Sequence, residues 1–400
     1  MIKFTKGNLE EAYPSCLSLL VVYLKTVSNS KIAHKIIMKS RAESLVLFSL
    51  FFSLIVIIAQ ECDYILFVGG QKVPAVFVFG DSFGDTGNND FIISTSKSNY
   101  PPYGRDFIDR IPTGRFSNGK LLSDYFAEGL GIKELLPPSL DPSLNAQDLL
   151  TGVSFASAGS GLDNLTDLIN EAIPFWKQIE CFKEYKRKIV GLVGEEEASN
   201  IISKAIFFIT IGSNDWGYSY FLLVIPTRRL EFTVQEYTDF LLNQYTVYIK
   251  ELYNLGVTRI ALINLPPLGC APVERTLTSL RNRGACDQEI NEAVSGFNSG
   301  LNAMIDGLKP AFPSLQIASL DYNSLVSEFI ANPRRYGFEV IARGCCGTGT
   351  IEYNFLCNEL NPFTCPDAST YLFFDAVHLT QKAYQFISNV FLTRDVPQLL

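Results

Sequence analysis

The sequence predicts an α/β fold built on a parallel β-sheet, and three observations carry that prediction. From residue 74 onward, short apolar runs alternate with longer amphipathic stretches, the pattern of successive βα units. The runs are rich in β-branched and aromatic residues and too short for helices. No repeat or low-complexity linker interrupts residues 74–400, so this stretch reads as one domain.

The expected strands are, in order, 75–79 (AVFVF), 153–156 (VSFA), 205–211 (AIFFITI), 259–265 (RIALINL) and 315–320 (LQIASL). Between them the spacing of apolar residues predicts helices over 119–129, 173–191, 234–255 and 287–308, the last with Asp287 as N-cap. A closing helix over 380–393 starts at Thr380. The basic run 183–188 (KEYKRK) falls on a helix and reads as a solvated face.

Ahead of the domain lies a leader. Residues 45–59 (LVLFSLFFSLIVIIA) are apolar except for two serines, and Lys39 and Arg41 precede them. The run is short of the ~20 residues that span a bilayer but suits the core of a signal peptide. Met38 is the expected initiator, which makes 1–37 an upstream extension and 38–70 the signal peptide with its cleavage region. A retained signal anchor is the competing reading. Cleavage predicts a secreted, extracellular protein without stable membrane insertion.

Composition narrows the function. An apolar content of 47% excludes a disordered chain. The formal net charge is −8, yet residues 1–60 hold seven Lys or Arg against three Glu, so the body is more acidic than the total. An acidic body repels nucleic acid and anionic membranes at long range, and neither is an expected partner. Cys181, Cys270, Cys286, Cys345, Cys346, Cys357 and Cys365 fall in the body, the last four within 21 residues. An oxidising compartment favours disulfides there. Zinc is the alternative, although the adjacent pair and the lack of a histidine between them suit it poorly. Asn164-Leu-Thr166 is a glycosylation sequon.

The chemistry-bearing residues follow the apolar runs, where sheets of this class place their sites. The first strand ends in Phe79-Gly-Asp-Ser82, which presents a serine at the strand tip; alone, the same residues make an ordinary turn. The third ends in Gly212-Ser-Asn214-Asp215, where an amide can donate to a developing oxyanion. Near the C-terminus stands Asp375-Ala-Val-His378. The only other histidine is His34 in the leader, so any imidazole base in the body is His378, and Asp375 is spaced to bond its far nitrogen.

Taken together and in order, Gly-Asp-Ser, Gly-Val-Ser-Phe-Ala-Ser-Ala-Gly159, Gly-Ser-Asn-Asp and Asp-Ala-Val-His resemble the GDSL esterase/lipase family of SGNH hydrolases, in its plant branch. Tyr100-Pro-Pro-Tyr-Gly104, Pro112-Thr-Gly-Arg-Phe-Ser-Asn-Gly119 and Leu265-Pro-Pro-Leu-Gly-Cys270 extend the likeness over roughly residues 74–395. The resemblance implies a flavodoxin-like, three-layer α/β/α sandwich around about five parallel strands. It also implies a Ser82, His378 and Asp375 triad, with oxyanion donors from the Ser82 N–H, the Gly159 N–H and the Asn214 amide. No metal or organic cofactor is implied. The expected substrate is a carboxylic ester of a lipid, acylated carbohydrate or phenolic. An acyltransferase using the same serine and a catalytically silent binding protein are the alternatives. Three positions depart from the family pattern: Phe83 for leucine, Ser154 for asparagine and Leu379 for proline. They predict a reshaped wall beside Ser82 and a looser loop around His378. Asp81 and Asp85 read as loop anchors, and residues 88–118 as a loop over the site.

Overall fold

The central sheet has four parallel strands, β1 (Val76–Gly80), β2 (Ile206–Thr210), β3 (Arg259–Ile263) and β4 (Gln316–Leu320), paired in that order. This computed structural model describes residues 73–107, 109–221 and 227–400; the expected extension and signal peptide, with His34, Cys16 and Cys62, lie outside them. The fifth expected strand is reduced to a single bridge. Ser154 pairs with Val78 on the free edge of β1, held by Val78 N–H to Val153 O at 3.3 Å and Phe155 N–H to Val78 O at 2.7 Å. Counting that segment, the order is 2-1-3-4-5, and the chain reverses direction across the sheet between β1 and β2. In such sheets the crevice beyond the strand ends at this point is where ligands bind.

Both faces of the sheet are covered at its centre, which explains why β1 and β2 are buried at every residue, while β4 at the edge keeps Gln316 exposed. On one face, Phe77 and Phe79 pack against Phe182 of the helix Phe175–Val193, each at 5.8 Å between ring centroids. On the other, Phe208 stacks at 3.9 Å on Phe126 of the helix Leu122–Gly129. Alternate strand residues point to opposite faces, so these two aromatic sets define the sandwich.

The long expected helices form close to their predicted bounds, as Phe175–Val193, Val234–Asn254 and Gln288–Ala311. Asp287 caps the last, accepting the Ile290 N–H at 3.2 Å. The closing helix is shorter, Gln381–Val390. In the basic run, Lys183 pairs with Glu180 and Glu251 while Tyr185 turns inward.

The strand pairing of the C-terminal region was not foreseen. A second, two-stranded parallel sheet pairs β5 (Val340–Gly344) with β6 (Tyr371–Phe373). Disulfides Cys345–Cys365 and Cys346–Cys357 knit the segment between them, and Cys270–Cys286 closes the loop ahead of Gln288–Ala311. Of the seven body cysteines only Cys181 is unpaired.

Candidate active site

The end of β1 forces a sharp turn. Gly80 has φ +124°, and a Cβ there would sit 1.7 Å from the Thr210 carbonyl oxygen of β2, so only glycine fits. Asp81 then donates its N–H to that same oxygen at 2.9 Å, and its own carbonyl accepts the N–H groups of Gly84 and Asp85. This single turn lifts Ser82 out of the sheet at the mouth of a pocket. Gln178 clamps the turn from the helix Phe175–Val193. Its amide accepts the Gly80 N–H and donates to the Gly80 carbonyl, both at 2.9 Å.

The Asp375–His378 segment reaches the same place from β6. Asp375 Oδ1 accepts the N–H of Val377 at 2.8 Å and of His378 at 2.6 Å, which folds the loop into a tight turn. Its Oδ2 lies 2.7 Å from His378 Nδ1, and His378 Nε2 lies 2.8 Å from Ser82 Oγ. A buried carboxylate beside Nδ1 selects the tautomer with its proton there, leaving Nε2 as the acceptor facing the serine hydroxyl. Such a chain can move a proton from hydroxyl to imidazole and hold the resulting charge. Tyr103 adds a fourth member. Its hydroxyl donates to Asp375 Oδ2 at 2.7 Å and accepts the Asn354 N–H at 3.0 Å. Burial and the adjacent Asp375 push that phenol far above its usual range, so it stays a donor.

Gly159 and Asn214 line the pocket that contains Ser82 and His378. Gly159 has φ +87°, and a Cβ on it would strike Asn170 at 2.6 Å. Among the described residues, neither the Ser82 N–H nor the Gly159 N–H meets an acceptor. The Asn214 amide donates one proton to Ser160 O at 2.9 Å, leaving its second for the pocket. Two buried carboxyls suspend the segment that follows Gly159. Asp167 accepts the Gly161 N–H, and Asp215 accepts those of Leu162 and Asp163. Asp85 holds the segment from its other end, accepting the Ala158 N–H at 2.9 Å as well as those of Gly87 and Asn88. Asp85 therefore anchors two loops at once.

The departures from the family pattern have visible consequences. Phe83 packs its ring 5.6 Å from the His378 imidazole and 5.8 Å from Tyr322, forming the wall beside the serine. Ser154 donates to Gly84 O at 2.7 Å, tying the Ser82 turn to the sheet edge. The loosening expected from Leu379 does not appear. Its N–H, which proline would lack, donates to the Tyr384 hydroxyl, and its carbonyl accepts Ser117 Oγ. Residues 88–118 contribute Ser96 and Phe116 to the pocket wall and place Tyr103 behind Asp375. Asn164 is exposed at the start of the helix Asn164–Asn170, while Thr166 is buried with its hydroxyl on Asp215.

Sequence reasoning missed Tyr103, Gln178 and the suspending carboxyls Asp167 and Asp215. Tyr103 and Asp215 stood inside quoted motifs, but a motif does not say which atom its residues touch.

A family model described as GDSL-like lipase/acylhydrolase matches residues 76–391. The chain is 42% identical over 325 residues to GDSL esterase/lipase At4g26790 of Arabidopsis thaliana, covering 81% of this chain and 92% of the relative. It is 45% identical over 322 residues to GDSL esterase/lipase At3g14820 of the same plant, covering 80% and 90%. A third, At2g04570, is 39% identical over 349 residues, covering 87% and 98%. No helix among the described residues is long and apolar enough to cross a membrane. With its parallel-sheet fold and this likeness across most of its length, the chain belongs to the GDSL-like lipase/acylhydrolase family and is a carboxylic ester hydrolase.

Proposed function

We propose that the protein is a secreted serine esterase that works through an acyl-enzyme on Ser82. The observation that carries this reading is the 2.8 Å approach of Ser82 Oγ to His378 Nε2, with Asp375 behind the ring at 2.7 Å. His378 Nε2 takes the hydroxyl proton as Oγ attacks the ester carbonyl carbon. The tetrahedral oxyanion sits among the Ser82 N–H, the Gly159 N–H and the free proton of the Asn214 amide. Collapse breaks the bond to the alcohol oxygen, which leaves with the proton from Nε2. Water then gives a proton to the same nitrogen and attacks the acyl carbon, freeing the acid and restoring Ser82.

The mostly apolar and aromatic walls of the pocket support an ester with a sizeable hydrocarbon portion, such as a lipid or an acylated carbohydrate or phenolic. Three disulfides support passage through an oxidising compartment, and Asn164 is exposed as glycosylation there would need. Residues 74–400 form the hydrolase domain in this reading, with 38–70 as a leader removed on export.

The test is hydrolysis of p-nitrophenyl esters from acetate to palmitate by wild type and Ser82→Ala. Turnover in the variant should fall toward background, on the order of 10⁶-fold, with unchanged circular dichroism. Wild-type turnover by Ser82→Ala would sink the assignment.

A further inference from the structure

The pocket over Ser82 is walled mainly by apolar and aromatic side chains, yet one carboxylic acid lines it. Glu274 stands on the short helix Pro272–Leu277 beyond β3. Its Oε1 lies 4.0 Å from where a Cβ on Gly217 would be, so the carboxyl is aimed at the helical turn Asp215–Phe221 that follows Asn214. Among the described residues, nothing donates a hydrogen bond to it. The one cation that attracts it, Arg281, is already committed to Asp287 and Glu289, and Asp287 repels it. Burial pushes the Glu274 carboxyl up to about 7.

Two phenols share this corner. Tyr218 and Tyr353 line the pocket, and each feels the charge of Glu274. An isolated carboxyl in a closing apolar pocket is a liability. A substrate that dries it without bonding it loses about 1–3 kcal/mol. A substrate hydroxyl removes that loss, because it offers a proton to the carboxyl and a lone pair to a phenol. An ammonium offers only protons and would face Arg281.

We propose that Glu274, with Tyr218 and Tyr353, forms a specificity site for a hydroxyl group on the hydrocarbon portion of the ester. The enzyme then favours hydroxylated over unsubstituted esters. The proposal rests on Ser82 being the nucleophile of this same pocket.

The experiment compares kcat/KM for hydroxylated and unsubstituted esters of matched length. One series places the hydroxyl on the acyl chain as p-nitrophenyl esters, the other on the alcohol as diol monoesters. Wild type should favour the hydroxylated member of at least one series by about tenfold or more. Glu274→Leu should bring that ratio near one, while Glu274→Gln, which still accepts and donates, should keep most of it. The ratio is taken within each enzyme, so partial loss of folded protein cancels. The same preference in wild type and Glu274→Leu would overturn the proposal. So would a wild-type ratio of one in both series, or a stronger preference for trimethylammonium esters; in these cases Ser82-dependent turnover of plain esters leaves the esterase reading intact. Turnover that survives Ser82→Ala removes both.

Discussion

Tyr103 is bonded to the carboxylate that orients His378, and this makes a phenol 272 positions away in sequence part of the proposed proton path. A donor on Asp375 Oδ2 fixes the rotamer of that carboxylate and so the oxygen that faces His378 Nδ1. Tyr103→Phe should therefore lower kcat/KM by about tenfold or more, because an Asp375 without this donor is free to turn away from His378. An unchanged kcat/KM would assign Tyr103 to packing alone. At the other side of the carbonyl, Asn214→Ala should lower kcat by about 10²–10³ with little change in KM, since the amide is needed where charge develops. Ser82 and Asn214 were legible in the sequence because each follows a recognisable apolar run, and Asp375 and His378 because the body has one histidine with a carboxylate three residues before it. Tyr103 and Gln178 were not, because each acts on an atom far along the chain and no local pattern records the partner. Glu274 left no signal either, as a glutamate on a short helix looks solvated until the pocket closes around it.

Among the elements, a buried ion pair ties the loop after the Ser82 turn to its neighbours. Arg115 makes two bonds of 2.8 Å to Asp124 at the start of the helix Leu122–Gly129, and also donates to Thr86 O and Leu136 O. Asp124 in turn accepts the N–H groups of Leu121 and Leu136. Both side chains are almost fully buried, so removing one strands the other without water. Arg115→Ala should cost about 3–5 kcal/mol of stability, read from denaturant midpoints at an unchanged slope. A loss under 1 kcal/mol would mean that water reaches Asp124. The sequence identified the four central strands because each is a short, mostly apolar run, and β1 and β2 are buried at every residue. It overstated residues 153–156, where side chains alternate as in a strand but the ladder closes at Ser154 only. It missed β5 and β6 because Val340–Gly344 is half exposed and Tyr371–Phe373 has three residues, too little for a period to register.

At the scale of the molecule, the arrangement of buried acids sets how stability follows pH. Burial pushes the carboxyls of Asp85 up to about 6, Asp215 to about 7 and Asp167 to about 8, and raises Asp81 well above the carboxylate range. Unfolded, these groups lose their protons near the ordinary 3.8; folded, they hold them to about pH 6–8. Between these limits the folded state binds more protons, so stability falls as pH rises through that window. Glu352 acts in the opposite sense. Although burial opposes it, bonds from Thr348 and nearby backbone N–H groups hold it down at about 2, so its contribution is present above its ordinary value of 4.5 and lost as pH falls toward 2. The two effects place maximal stability near pH 4–5, and the net negative charge of the body adds repulsion above that range. The melting temperature should therefore decline steadily from pH 5 to pH 8.5. Asp167→Asn should flatten the upper part of that decline, because its amide oxygen can still accept from Gly161 while having no proton to lose. A wild-type melting temperature that rises across the same interval would show that these carboxyls are ionised throughout, and that the segment following Gly159 hangs from charges rather than from neutral acids.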